Sequence, residues 1–183
     1  MQDVLKKLAP SLRSLGFRGS GQNYRKTERE FVLVINFQGS RWGDNFYVNV
    51  GAQPAFIPAE GNADLKKLKE YECVLHRRVR TEWPWEMSDD MTATLVTEVT
   101  STQAVFFAHA MSLPVAIQRD STEELLRKFC VGTTKARAAL HLARAAVALG
   151  HVDAARDLVS KGLELASDRA TVLRSELQSV LDS

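Results

Sequence analysis

The alternation of apolar and polar residues is clearest between positions 31 and 50 of the chain. Residues 31–38 and 46–50 each place every second side chain, all of them Phe, Leu, Ile or Val, on one face. A period of two is that of a half-buried β-strand. Gly39 and Gly43 lie in the polar segment between the two runs, so the pattern predicts an antiparallel hairpin over residues 31–50.

Leucines at helical spacing precede this hairpin. They stand at positions 5, 8, 12 and 15 and predict an amphipathic helix over residues 2–15 that packs on a sheet. Gly16 is expected to stop this helix, and Pro10 is expected to kink it or to begin a second short helix. A short strand is predicted over residues 23–27.

Less regular patterns follow the hairpin. Residues 53–64 contain two prolines and predict a loop, and residues 65–71 predict a short helical turn. Residues 73–79 predict a third main strand. The segment 82–85 predicts a turn or a sheet edge, because a proline cannot donate to a strand ladder.

Helical signals dominate from there on. Asp89 or Asp90 is expected to cap a helix over about residues 92–111. Ser121 and Glu124 have the spacing of a capping box, which predicts another helix through residue 129.

The last fifty residues are rich in alanine and leucine. Two helices joined by a turn at Gly150 and His151, followed by a third helix over residues 170–181, are predicted. The paired helices fit the tetratricopeptide (TPR) pattern at Leu142, Ala143, Ala146, Gly150, Ala155, Val159 and Gly162. A plain helical hairpin is the alternative.

One such repeat cannot bury its own apolar face, so this unit is expected to pack on the preceding residues or on a partner. The sequence therefore predicts an α+β fold: an N-terminal helix, a mainly antiparallel sheet, and C-terminal helices with a TPR-like hairpin. We divide it into an α+β domain over residues 1–130 and a helical extension, packed on it, over residues 131–183.

Composition supports a folded protein of ordinary type. The chain has 183 residues, 45% hydrophobic and 25% charged, and only two cysteines, too few for a disulfide framework. Charged residues interrupt the N-terminal segment, so it is not a signal peptide, and no apolar run is long enough for a transmembrane helix. We expect a cytoplasmic protein with no membrane partner.

Charge is unevenly distributed along the chain. The net charge is +2, with +6 over residues 1–80 and −4 over residues 81–183. Nucleic-acid binding is not favoured, because the basic residues are scattered among acidic ones rather than clustered.

Polar residues gather on the reverse face of the predicted hairpin, and they are the candidate partner- or ligand-binding residues. The set comprises Asn36, Gln38, Tyr47 and Asn49 on the strands, Arg41 and Trp42 at the tip, and Arg78 from the third strand. Asn and Gln are disfavoured inside strands. They form either a polar groove for a peptide or small ligand, or internal hydrogen bonds to buried loop backbone with the tryptophan packed over the sheet.

No catalytic residue, metal ligand or cofactor is predicted. The four histidines lack metal-ligand spacing, and neither a CxxC pair, a GxSxG nucleophile nor a phosphate-binding glycine loop occurs. Cys73 and His76, three apart in a strand, would face opposite sides of the sheet.

The residues around the hairpin resemble a bacterial family known as domain of unknown function 4304. The similarity covers roughly residues 1–130 and lies in Leu15-Gly16-Phe17, Asn36-Phe37-Gln38, Ser40-Arg41-Trp42-Gly43, Phe46-Tyr47-Val48-Asn49 and the segment Cys73 to Arg78. The resemblance implies an α+β domain and brings no activity, substrate or catalytic residue.

We therefore predict a non-enzymatic cytoplasmic protein that binds a protein partner, such as an immunity protein that neutralises a bacterial toxin. An enzyme or small-ligand-binding domain that uses the polar face of the 31–50 hairpin is the alternative. Nucleic-acid binding through the basic N-terminal half is a weaker one.

Overall fold

A computed structural model describes residues 2–41 and 43–182 of the chain. Their strands are β1 (Arg18–Ser20), β2 (Asn23–Glu28), β3 (Phe31–Gly39), β4 (Asn45–Pro54) and β5 (Leu75–Pro84). Their helices are α1 (Gln2–Ser14), α2 (Asp89–Met111), α3 (Leu113–Arg119), α4 (Thr122–Phe129), α5 (Lys135–Ala148), α6 (Val152–Leu165) and α7 (Thr171–Ser179). Short 3₁₀ turns cover Glu60–Asn62, Glu70–Glu72 and Val180–Asp182. The predicted α+β fold, with an N-terminal helix, an antiparallel sheet and C-terminal helices, is confirmed.

The sheet is antiparallel throughout, in the order β1-β2-β3-β4-β5. The predicted hairpin is β3–β4, paired from Phe31 opposite Pro54 to Gly39 opposite Phe46. Strand β4 continues past residue 50, so the prediction of a loop beginning at residue 53 is wrong. Gln53 is accommodated in the buried strand because its amide donates to the carbonyl oxygens of Pro54 and Ile57 and accepts from the Val74 N–H.

The apolar face of the sheet packs against α1 and α2. Phe31, Leu33, Ile35 and Phe37 of β3 are each at most 3% exposed, as the period of two predicts. Burial of each such side chain contributes about 2 kcal/mol, so one face of this hairpin fixes its register.

Helix α1 runs through Pro10 without ending, so it is not divided into two helices. Pro10 is exposed and removes one backbone donor from the helix. Gly16, with φ of 89°, ends the helix: its N–H donates to the Arg13 carbonyl and the Phe17 N–H donates to the Leu12 carbonyl. This is a Schellman motif, and it requires a left-handed residue at Gly16.

Two helix starts were assigned from sequence, one correctly. The capping box of Ser121 and Glu124 is confirmed at α4. The predicted cap of α2 is wrong, because Ser88 Oγ accepts from the Met91 N–H and places Asp89 inside the first turn. An acidic residue there still favours the helix through its dipole.

The reverse face of the sheet is covered at one end by residues 55–74. Val32, Val34, Ala59, Leu68 and Cys73 form a second small core there. Arg25 fastens this segment by donating from Nε to the Leu68 carbonyl and from Nη2 to the Lys67 carbonyl. Cys73 is fully buried in this core, and burial raises the pKa of its thiol, which disfavours the reactive thiolate.

Helices α5 and α6 pair through small residues, and α7 closes over them. A Cβ on Gly162 would lie 2.7 Å from Leu177 Cδ2 and 3.1 Å from Ala139 Cβ, so a larger residue would require α7 or its side chains to shift. His141 Nε2–H of α5 donates to Glu60 Oε1 in the 3₁₀ turn after β4 at 2.7 Å. Arg137 and Arg144 of α5 form salt bridges with Glu176 of α7. The hydrophobic core continues from the sheet into α5–α7. The boundary at residue 130 and the relation to TPR repeats stay predictions.

Candidate functional site

The uncovered part of the reverse face forms a cleft of ≈ 540 Å³ that is open to solvent. It is lined by Gln38, Asn49, Glu70, His76, Arg77, Arg78 and Gly132. Three parts of the chain therefore build it: strands β3–β5, the 3₁₀ turn at residues 70–72, and the loop between α4 and α5.

A ladder of side-chain amides forms its floor. Asn23, Asn36, Asn49 and Arg78 stand opposite one another on β2, β3, β4 and β5, because each pair is directly matched in the strand register. Asn36 Nδ2 donates to Asn23 Oδ1 at 2.9 Å, and Asn49 Nδ2 donates to Asn36 Oδ1 at 3.3 Å. The polar residues therefore satisfy one another across four strands.

Arg78 sets the direction of this ladder. A guanidinium has donors and no acceptor, and Arg78 Nε–H donates to Asn49 Oδ1 at 3.3 Å. Asn49 must then present its NH₂ group to the other side, toward Asn36. Every amide along the ladder is oriented by this one fixed donor.

The guanidinium is also stacked on an aromatic ring. Arg78 Cζ lies 3.7 Å from the centroid of the Tyr47 ring, a close cation–π contact. Arg78 is exposed, yet two contacts hold it. Its Nη donors have no hydrogen-bond acceptor among the residues that the structure describes.

Glu70 lies on the opposite side of Asn49. Its Oε1 is 3.5 Å from Asn49 Nδ2, and the residue is 8% exposed. Burial raises the pKa of the Glu70 carboxyl group, although backbone N–H groups of Glu70 and Tyr71 and the nearby His76 oppose the shift. The cleft thus contains a buried acid and, at its surface, the exposed Arg78. Arg77 also lines it, but its Cζ lies 5.6 Å from the centroid of the Phe106 ring of α2, on the other face of the sheet.

The α4–α5 loop closes the remaining side. His76 Nδ1–H donates to the Cys73 carbonyl at 2.9 Å, which fixes the ring orientation. Gly132, with φ of +79°, lies against it so closely that a Cβ would be 2.2 Å from the His76 carbonyl oxygen. Only glycine permits this approach.

The structure brings together five of the seven sequence-predicted residues: Asn36, Gln38, Tyr47, Asn49 and Arg78 lie in the ladder or next to it. Arg41 is exposed in the β3–β4 turn, away from the described lining of the cleft. Trp42 lies outside the described residues, so the prediction for it stays a prediction.

Sequence reasoning missed Asn23, Glu70 and Gly132. Asn23 had a usable signal, since the β2–β3 register places it beside Asn36. Glu70 and Gly132 had none, because each reaches the cleft through a loop whose path depends on long-range packing.

Among the described residues, no group of three or more His, Cys, Asp or Glu side chains is arranged to hold a metal ion. No helix in the described part of the chain has both the length and the apolar character needed to cross a membrane.

These features define an α+β domain with a polar cleft on its sheet. The model of the family described as "Domain of unknown function (DUF4304)" matches residues 8–106, more than half of the chain, and the chain belongs to this family. Comparison with curated proteins found no match, and neither did comparison with solved structures. Gln38, Asn49, Glu70 and Arg78 lie within the matched segment, whereas Gly132 lies beyond it.

Proposed function

We propose that this protein is a non-enzymatic binding module and that a protein partner docks over the cleft on the reverse face of the sheet. The observation that carries the proposal is the state of Arg78: exposed to solvent, but held by the Tyr47 ring and by Asn49. An ordinary exposed arginine loses substantial side-chain entropy when it binds, and a restrained one loses less.

The residue types also support a protein partner. Arginine and tyrosine are the side chains that, with tryptophan, most often dominate the energy of protein–protein interfaces. The arginine–tyrosine stack lies beside Gln38, which is exposed and whose amide N–H groups can donate to backbone or side-chain acceptors of a partner. Within this proposal, an immunity role against a toxin is the narrower hypothesis and requires one tight partner.

Site-specific photo-crosslinking in the native cell tests the proposal. A photo-reactive amino acid at Gln38, which is exposed at the cleft, is expected to capture one protein, and capture should be lost when Arg78 is also changed to Ala. The matched control is the same amino acid at Val105, which is 70% exposed on α2. Identical products from both positions, or capture at Gln38 that persists without Arg78, would refute the proposal.

A small-ligand or enzymatic role in the same cleft is the second candidate, favoured by Glu70. A buried carboxyl group with a raised pKa beside a histidine is a typical proton acceptor at active sites. This role requires that Glu70→Gln abolishes turnover of a small molecule in the purified protein. The same variant should leave the crosslink at Gln38 intact if Glu70 acts only in catalysis.

A further inference from the structure

The amide group of Asn49 is shared among more acceptors than it can serve. Its Nδ2 lies 3.3 Å from Asn36 Oδ1, 3.1 Å from Gln38 Oε1 and 3.5 Å from Glu70 Oε1. A primary amide has two hydrogens, so at any moment at least one of these three oxygens receives no hydrogen from Asn49. All three distances exceed the usual 2.9–3.0 Å, as expected when one group is divided among three.

Glu70 is the acceptor with most to gain from another donor. Among the described residues, no lysine, arginine or histidine nitrogen lies within 4 Å of its carboxylate, although it lines the cleft and is more than nine-tenths buried. A buried carboxylate without a cationic partner is destabilising. A cation entering the cleft would relieve that cost.

The opposite charge lies on the other side of the same amide. Arg78 Nε is 3.3 Å from Asn49 Oδ1 and Glu70 Oε1 is 3.5 Å from Asn49 Nδ2, which bounds the separation of these charged groups at about 9 Å. Two side chains at positions i and i+2 of an extended peptide are about 7 Å apart on one face. Such a peptide can present an acid and an amine to both groups at once.

We infer that the partner segment that enters the cleft is extended and carries a carboxylate and an ammonium group two residues apart, the carboxylate bound by Arg78 and the ammonium by Glu70. This inference rests on the proposed protein-binding function. It specifies the chemistry of the contact: a bidentate guanidinium–carboxylate pair at the rim and an ammonium–carboxylate pair at the floor.

Blocked pentapeptides test the inference. The probes are acetyl-Thr-Glu-Thr-Lys-Thr-amide and its reversed-order form, titrated into the ¹⁵N-labelled full chain while the side-chain amide signals of Gln38 and Asn49 are followed. Replacing the peptide's Glu by Gln, or its Lys by Gln, is expected to weaken binding at least about threefold. Replacing the peptide's Glu should weaken binding only when the protein retains Arg78. Replacing its Lys should weaken binding only when the protein retains Glu70.

The protein variants are Arg78→Gln and Glu70→Gln, with Arg156→Gln as the control because Arg156 pairs with Asp153 on α6. With Arg78→Gln, the peptide's Glu should no longer matter, while its Lys still should. With Glu70→Gln, the reverse should hold. Losses that are the same in all four proteins would overturn the inference, and native ¹H–¹⁵N spectra exclude unfolding as their cause.

The remaining outcomes separate this inference from the proposed function. If free lysine or free alanine, each a zwitterion, binds and the blocked peptides do not, the cleft takes a small molecule and the inferred protein segment is wrong. If no probe binds while the Gln38 crosslink still depends on Arg78, the inference fails and the protein-binding function stands. If the peptides bind with the expected dependence on Arg78 and Glu70 but no protein is captured at Gln38, the paired-charge chemistry stands and the proposed protein partner does not.

Discussion

Replacing Asn49 by Asp exchanges the NH₂ group at the centre of the ladder for an oxygen, so a hydrogen-bond donor becomes an acceptor. The new carboxylate can still accept from Arg78 Nε, but it turns the donor that faces Asn36, Gln38 and Glu70 into an anion. Two hydrogen bonds are lost at about 1 kcal/mol each. A second negative charge also comes within about 4 Å of Glu70, where a partly buried like-charge pair repels by about 4 kcal/mol at an effective dielectric of 20.

Closer pairing with Arg78 and uptake of a proton offset part of that repulsion. We therefore expect Asn49→Asp to lower the free energy of unfolding by about 3 kcal/mol at pH 7. Urea unfolding followed by circular dichroism should show the midpoint falling by about 1.5 M with an unchanged slope. The deficit should shrink as pH falls toward 4, because a carboxyl whose pKa is raised in the folded state is destabilising only when ionised.

Gln38→Glu is the matched control. It makes the same amide-to-acid change and also faces Asn49 Nδ2, but Gln38 is exposed, so water can solvate the charge. We expect a change below about 1 kcal/mol. Equal effects at the two positions, or a deficit at Asn49→Asp that does not depend on pH, would show that the ladder has no fixed donor direction.

Three further stability predictions are measured by the same unfolding assay. Glu70→Gln should stabilise the protein at pH 7, since burial raises the pKa of Glu70, and the gain should vanish below about pH 4; a loss at pH 7 would contradict this. Glu60→Gln should destabilise at pH 7, because the hydrogen bond from His141 lowers the pKa of Glu60, and this difference should disappear in acid; a difference that persists in acid would not fit. Gly132→Ala should cost at least about 2 kcal/mol because its Cβ meets a backbone oxygen, whereas Gly150→Ala, with φ of +80° and open space, should cost about 1 kcal/mol; equal costs would refute the close approach.

The sequence was sufficient to predict the hairpin and the side of it that becomes polar. Alternation is a local property, and a register with one buried face admits no shift by one residue, so Asn36 and Asn49 had to share the reverse face. Alternation within residues 73–79 does not by itself say which side chains of the third strand share this face, and the observed pairing puts His76 and Arg78 on the polar side.

The sequence could not decide what the amides do. The competing interpretation, that they satisfy buried loop backbone, describes Gln53 and not Asn36 or Asn49. Neighbouring polar residues on one strand face have different roles because residues 55–74 cover only one end of it. The point on the sheet at which residues 55–74 stop covering it decides where Glu70 reaches the cleft. That point depends on packing between residues far apart in the chain.

Recognition through this cleft depends most directly on the restrained guanidinium of Arg78 at the edge of the sheet. In the ¹H–¹⁵N spectrum of the free protein, the Nε–Hε signal of Arg78 should be shifted upfield by the Tyr47 ring and protected from exchange with water by Asn49. Coincidence of that signal with those of mobile surface arginines, together with equally fast exchange, would contradict the claim that this side chain is prepared for recognition.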